Sequence, residues 1–339
     1  MNHTNDHFVS CDWGTSHFRL RLVDRATCHI LNEFRSTEGI AQLAVASRGT
    51  DRSHAFRTTL TRWVDDLATA ADHDLSGMPI VISGMAGSSI GWHELPYARL
   101  PFALDGHDVI WEDIGPLTGK GRLQRVLLLS GVQNGIDVMR GEETEVLGVS
   151  ALAADQKNSL GEAVLLLPGT HSKHVIVRDG RIADFRTYMT GELFDVLRKH
   201  SVLRHSTQPP DSQAAPADWH TDETRQAFRE GVGLARSAPL PAVLFQVRTR
   251  QLLGHCSPSS NTAFLSGMLL GAELSCLDAY CPADAPIFLC AGAHLNCCYT
   301  MAFDVLGLSD RLTILPAHDV ERLAVLGQAL VLERILASE

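Results

Sequence analysis

The sequence predicts an α/β protein of two lobes related by internal duplication, and three observations carry that prediction. At 339 residues the chain exceeds the length at which one hydrophobic core stops growing, which favours two lobes of roughly 150 residues each. Apolar residues make up 45% and charged residues 20%, the balance of a folded protein and not of a disordered segment or coiled coil. A hairpin with a Gly-Thr turn occurs once in each half, with about 155 positions between Gly14 and Gly169, and self-similarity at long period marks repeated architecture. We therefore expect an N-terminal lobe over 1–150 and a C-terminal lobe over 151–339, with a final helix near 320–336 able to pack back on the first.

Each element follows from local pattern. Phe8-Val9-Ser10-Cys11 reads as a buried strand, Asp12-Trp13-Gly14-Thr15-Ser16 as a turn, Phe18 to Val23 as a second strand and Ile30 to Phe34 as a third,. The plan recurs later. Val164 to Leu167 is a strand, Pro168-Gly169-Thr170-His171-Ser172 a turn, and His174 to Val177 a strand ending at Asp179-Gly180. Apolar spacing of three to four predicts helices over Ala55 to Ala71, Glu142 to Ala154 and Glu192 to His200,. Short apolar runs at Pro79 to Ser83, Arg125 to Leu129 and Ile287 to Cys290 read as buried strands followed by Gly-bearing loops, where α/β folds bind ligands,. Ser206 to Asp222, rich in Pro, Ser, Ala and Asp, reads as a solvated loop or lid. Gly267 and Gly271, four apart in an apolar helix, favour close helix packing.

Composition excludes several function classes. With 29 Lys and Arg against 39 Asp and Glu, the net charge is -10, and a polyanion such as nucleic acid is not an expected partner. The first residues are polar, without the apolar core of a secretory signal, and runs such as Ala163 to Leu167 are too short to cross a bilayer,. A cytoplasmic protein without membrane contact is expected. The eight cysteines show no C-x-x-C spacing and read as reduced, mostly buried thiols. His171 and His174 are three apart on an extended segment, where they face opposite sides and would not clasp one metal ion.

The candidate chemistry lies in the turns. Gly14, Thr15 and Ser16, with Gly169, Thr170, His171 and Ser172, place flexible backbone and hydroxyls on two hairpins that would clasp a triphosphate from both sides if they face one another. No P-loop and no G-x-G-x-x-G after a strand occurs,. Asp12, at the end of a buried strand, needs a compensating cation, and Mg²⁺ on a nucleotide would supply it; an Asx cap is the alternative. Leu167 occupies the corresponding place in the second hairpin. Lys173 is either a phosphate ligand or a strand-end lysine. Glu142 and Glu143 open a helix, where acidic residues suit the dipole, and either would equally serve as general base for phosphoryl transfer to an alcohol, Glu142 first and Glu143 in reserve. Arg140, Arg19 and Arg186 would grip a substrate carboxylate as two-point forks. Gly84, Met85, Ala86, Gly87 and Ser88, running on to Trp92, form a glycine-rich, hydroxylated loop suited to a sugar.

These motifs, together with Thr187-Tyr188-Met189-Thr190-Gly191-Glu192-Leu193 and Phe264-Leu265-Ser266-Gly267, resemble the 2-dehydro-3-deoxygalactonokinase family from about Val9 to Leu332. The resemblance implies two duplicated ribonuclease-H-like lobes of the actin-like type with ATP in the cleft. It implies transfer of the γ-phosphate to the 6-hydroxyl of 2-dehydro-3-deoxy-D-galactonate in galactonate breakdown, with ATP and Mg²⁺ required. Asp12 to Ser16 and Gly169 to Lys173 then match the two phosphate motifs, Gly292 and Ala293 the adenosine-side loop, and Thr190 and Glu192 fall on the substrate side. The family usually carries Asn at His17 and Trp at His174. Two other readings fit the same fold: a phosphohydrolase of the exopolyphosphatase type, since the Gly-Glu-Glu helix start resembles that of those enzymes, and a non-catalytic sugar-acid sensor.

Overall fold

A computed structural model describes residues 6–47, 51–119, 122–156, 160–208, 221–254 and 256–339. Strands β1 (His7–Trp13), β2 (Phe18–Asp24) and β3 (Ile30–Ser36) form an antiparallel meander. β4 (Ile80–Gly84) lies parallel to β1, β5 (Trp111–Asp113) sits antiparallel at the edge, and between them β6 (Val126–Leu129) runs parallel to β4. The order is β3-β2-β1-β4-β6-β5. The central strands are buried on both faces, which is why they read as near-continuous apolar runs without alternation,.

A second sheet contains β7 (Glu162–Leu167), β8 (Ser172–Arg178), β9 (Arg181–Tyr188), β10 (Ile287–Leu289) and β11 (Leu312–Ile314), with the two-residue strand Phe102–Ala103 on the outer edge of β9. β10 is parallel to both β7 and β11. Its order, β9-β8-β7-β10-β11, repeats the β3-β2-β1-β4-β6 of the first. A meander whose first strand is flanked by parallel crossover strands, present twice, is the duplicated ribonuclease-H-like plan of the actin-like fold.

The helices follow with shifted ends. α1 (Arg52–Ala71) starts three residues before the sequence estimate because the Asp51 side chain caps it, accepting from the His54 N–H,. It buries Phe56, Leu60, Trp63 and Val64 beneath the first sheet, where the Trp63 and Phe18 rings pack at a tilt with centroids 3.9 Å apart. α2 (Glu142–Asp155) begins as expected, and α3 (Thr190–His200) starts two residues early. α4 (Asp222–Ser237) and α5 (Pro258–Leu274) cross backbone to backbone: a Cβ on Gly267 would lie 2.1 Å from the Phe228 carbonyl oxygen, and one on Gly271 would lie 2.8 Å from Val232. Close packing is thus what those two glycines permit. α6 (Ala293–Leu306) follows β10, and α7 (Leu323–Ser338) is the last helix. Ala317–Val320 forms a separate short turn, which is why α7 begins three residues later than expected.

The chain divides into two compact units, one of Met1–Gly161, Val177–Phe185 and Glu321–Glu339, the other of Glu162–Ile176 and Arg186–Val320. Within the first unit α7 packs on α2, where a Cβ on Gly148 would be 2.0 Å from the Leu323 oxygen and one on Gly327 would be 1.9 Å from the Thr144 oxygen. Gln328 of α7 donates to the Cys11 carbonyl at 2.9 Å and to Ser83 Oγ at 2.8 Å, reaching both β1 and β4. The expected loop over Ser206 to Asp222 falls largely on 209–220, outside the described residues. Its two ends differ from the expectation, since Ser206 and Thr207 are buried and Asp222 opens α4. Four of the eight free cysteines, Cys11, Cys281, Cys290 and Cys298, are buried and Cys276 is exposed. Among the described residues, no helix is long and apolar enough to cross a membrane.

Candidate functional site

In the first unit β1 continues through Asp12 and Trp13, so the turn occupies Gly14 to His17 and does not begin at Asp12. The ladder with β2 holds as far as Trp13 opposite Phe18, and the Gly14 N–H closes the turn on the His17 carbonyl at 2.9 Å. From below, the Ile40 and Ala41 N–H groups donate to the Gly14 and Thr15 carbonyls at 3.0 and 3.1 Å. Gly39 allows that approach, because its Cβ would stand 2.3 Å from the Thr15 oxygen. The seated turn leaves Thr15, Ser16 and His17 exposed. Asp12 is half-buried, opposite Ser83 of β4 in register and 3.4 Å from Arg19 Nη1.

The loop after β4 divides into support and surface. Gly84, at φ +91°, passes under the Trp13 carbonyl, and a Cβ on Gly141 would come within 3.3 Å of the Gly84 Cα. These two glycines bring the β4 loop against the start of α2. Ala86, Gly87 and Ser88 are buried, the Ser88 hydroxyl donating to the Met85 carbonyl at 2.7 Å. Trp92 is buried as well, with its Nε1–H on Ser53 Oγ at 3.1 Å and its ring stacked on Phe56. Met85 keeps partial exposure. Arg140 is only 7% exposed; Nη2 donates to the Leu95 carbonyl at 3.0 Å, and the guanidinium lies 4.1 Å over the Tyr97 ring. It is enclosed beside the loop, whereas the Arg19 side chain next to Asp12 is 42% exposed.

The start of α2 concentrates negative charge. Glu142 is half-buried and accepts the Arg140 N–H at 3.0 Å. Glu143 folds back on its own helix end, accepting the Gly141 N–H at 2.7 Å and the Thr144 hydroxyl at 3.1 Å. Burial, and then the Glu142 charge, push its carboxyl up to about 8,. Glu145 is also pushed up to about 8, by desolvation first and then by the Asp12 and Glu142 charges. Sequence reasoning passed over Glu145, although its spacing of three from Glu142 puts both on one helix face. With Asp12 and Glu142 beside these two raised carboxyls, the corner gathers negative charge that favours an approaching cation,. Among the described residues no three His, Cys, Asp or Glu side chains are grouped to hold a metal ion alone. A hard cation delivered on phosphate oxygens needs only one or two carboxylates, which this corner has.

In the second unit β8 begins at Ser172, two residues before the expected strand. The turn ahead of it rests on the first residues of α3: the Glu192 N–H donates to the Thr170 carbonyl at 3.0 Å, His171 Nε2 meets Glu192 Oε2 at 2.5 Å, and a Cβ on Gly191 would lie 2.5 Å from the Gly169 oxygen. Gly169, Thr170 and His171 are exposed. Lys173 is 5% exposed and donates to Thr187 Oγ1 at 2.7 Å. Thr190 and Glu192 therefore belong beside the second turn, while Gly84 to Ser88, Trp92 and Arg140 belong to the first unit. A pocket of about 130 Å³ opens beside Gly169, between Thr190 and Phe194 of α3, Leu269 of α5, and His294 and Leu295 of α6. Gly292 and Ala293 are exposed at the start of α6.

Behind this turn lies a polar cluster that sequence reasoning missed. Glu273 of α5 is 2% exposed; Oε1 lies 2.8 Å from the Tyr299 hydroxyl and 3.0 Å from His174 Nε2, and Oε2 accepts the Thr190 hydroxyl. His174 Nδ1 meets the Tyr280 hydroxyl, which lies 3.2 Å from that of Tyr188. Desolvation raises the hydroxyls of Tyr280 and Tyr299 above the ordinary tyrosine range. The available signal was one acid in the apolar run Met268 to Leu274.

Comparison with known proteins identifies the family to which the chain is similar. Residues 12–326 match the model of the family described as 2-keto-3-deoxy-galactonokinase. The "Probable 2-dehydro-3-deoxygalactonokinase" of Rhizobium meliloti (strain 1021) is 34% identical, covering 91% of this chain and 92% of the relative. The 2-dehydro-3-deoxygalactonokinase of Escherichia coli (strain K12) is 31% identical over 88% and 90%. A crystal structure of a Sinorhizobium meliloti protein assigned as a 2-dehydro-3-deoxygalactonokinase superposes with a TM-score of 0.76 at 30% identity, covering 96% of this chain and 99% of that one. The chain belongs to the 2-keto-3-deoxy-galactonokinase family.

Proposed function

We propose that the protein transfers the γ-phosphate of ATP to the 6-hydroxyl of 2-dehydro-3-deoxy-D-galactonate, in galactonate catabolism. The observation that carries this reading is the family match across 12–326, which takes in both hairpin turns and the acidic start of α2. The Gly14–Ser16 and Gly169–His171 turns, each seated from behind and exposed in front, are the phosphate-binding elements, with Lys173 countering charge at the second. The pocket beside Gly169, with Gly292 and Ala293 at its α6 side, takes the nucleoside.

Glu142 is the proton acceptor for the sugar hydroxyl, because Glu143 is committed to its own helix end. Asp12 is the residue that would meet Mg²⁺ carried on ATP; the ion would neutralise phosphate charge as the bond to the leaving ADP breaks. Gly84 to Ser88 shape the acceptor side, where Trp92 and Arg140 hold the loop in place and Met85 presents surface. Arg19, the more open guanidinium, suits the substrate carboxylate. Glu192 orients the second turn through His171.

The test is a coupled ADP-release assay on a panel of keto-deoxy sugar acids. ADP release that depends on the galactonate-derived acid and exceeds that with its gluconate-derived epimer is expected. Phosphate release from ATP at the same rate without any sugar acid would make the protein a hydrolase, and binding of the acid without ADP release would make it a sensor.

A further inference from the structure

We infer that Glu273 is a positioning residue for the polyphosphate: it fixes the Gly169–His171 turn by receiving hydrogen bonds from three separate segments around it. The inference rests on the reading of that turn as a phosphate site, and adds a residue outside the turn that sets its geometry.

One placement of the protons satisfies every partner in the cluster. The Tyr188 hydroxyl donates to the Tyr280 oxygen, and Tyr280 donates to His174 Nδ1. That assigns the remaining ring proton to Nε2, which points at Glu273 Oε1 at 3.0 Å,. Tyr299 donates to the same oxygen at 2.8 Å and accepts from the Ser172 hydroxyl at 3.4 Å, while Thr190 donates to Oε2. Glu273 thus receives three donors, and both ring nitrogens of His174 are engaged. Burying a carboxyl group this deeply costs free energy that such donors offset, and losing one leaves a buried polar atom unpaired.

The three donors stand where the turn is held. Thr190 is the first residue of α3, next to Gly191 and Glu192, on which the Gly169 and Thr170 carbonyls rest. His174 and Ser172 belong to β8, the strand that leaves the turn. Tyr299 lies on α6 and lines the same pocket as Gly169 and Thr190. One side chain from α5 therefore sets the spacing of the turn's seat on α3, its exit strand and the pocket wall. Releasing Thr190 frees α3 to shift and the turn with it, and phosphate ligands lose value steeply with small displacements.

The experiment compares Thr190→Val, Glu273→Gln and wild type by isothermal titration with ATP, without sugar acid, alongside steady-state kinetics and melting temperature. Thr190→Val removes one donor with little change in volume. We expect its ATP dissociation constant and KM for ATP to rise about tenfold, and by more than its KM for the sugar acid. Glu273→Gln, which retains an acceptor for Tyr299 and His174 and lets Thr190 turn its hydroxyl round, should keep most of the wild-type ATP affinity. Unchanged ATP affinity in Thr190→Val at wild-type melting temperature would overturn the inference, as would a change confined to the sugar acid's KM. Tenfold weaker ATP binding in a protein that phosphorylates no sugar acid would leave the inference standing and remove the proposed reaction instead.

Discussion

The two hairpin turns share a backbone plan and differ in the chemistry gathered behind them. The first turn is seated on main-chain donors from Ile40 and Ala41 and stands beside four carboxylates, with Arg19 the cation against Asp12. The second is seated on the start of α3, has a buried lysine on its exit strand, and is backed by hydroxyls converging on one carboxylate. Where the first hairpin carries Asp12, two before the turn glycine, the second carries Leu167. Duplication preserved the scaffold that exposes a turn; in the proposed function the flanking side chains divide the labour, with proton and cation assigned to the first turn and anion grip to the second.

Substitutions test that division. The largest effect is expected from Glu142→Gln, which should lower kcat by about 10²–10⁴ while leaving ATP affinity intact; near-wild-type turnover would move the base to Glu145, the other carboxylate on that helix face. Gly191→Ala drives a Cβ to 2.5 Å from the Gly169 oxygen and should raise KM for ATP about tenfold or more by displacing the second turn, a loss of at least about 1.4 kcal/mol. An equal rise in KM for the sugar acid would blur the contrast between the turns. Asp12→Asn should raise the Mg²⁺ concentration for half-maximal rate by about tenfold at fixed ATP, and an unchanged Mg²⁺ titration removes Asp12 from that role.

The smallest effect concerns stability. Glu143 has its carboxyl raised from an ordinary 4.5 to about 8 in the folded chain. Between those values the folded state holds a proton that the unfolded chain has lost, so stability falls as pH rises from about 4.5 to 8. Glu143→Gln should flatten that decline, melting a few degrees above wild type at pH 8 and level with it at pH 4.5. A parallel offset at both pH values would mean that Glu143 does not carry the dependence.

Much of this was legible from residues alone, and the exceptions have physical causes. The strands were readable because doubly covered strands are uninterrupted apolar runs, and the repeat because turn glycines recur at fixed offset. Turn edges were misplaced at Asp12 and Ser172, since side-chain polarity suggests a turn while ladder pairing to Trp13 and from Ser172 decides it. The surroundings of Trp92 and Arg140 were not legible: Trp92 packs on Phe56 and donates to Ser53, and Arg140 lies over Tyr97 and donates to the Leu95 carbonyl. Glu273 was invisible because its partners, His174, Thr190 and Tyr299, are scattered over 126 positions of chain, and no local pattern encodes such a meeting.

The place of α7 in the first unit has a consequence for biosynthesis. Gln328 bridges β1 and β4, and the Gly148–Gly327 crossing presses α7 onto α2, yet α7 leaves the ribosome only after the whole second unit has been made. Translation at about 5–20 residues per second leaves the nascent first unit without that covering helix for many seconds. Slower elongation, or a stop codon ahead of Leu323, would therefore expose the faces of β1, β4 and α2 to chaperones and proteases, even though every residue of the two hairpin turns had already been synthesised.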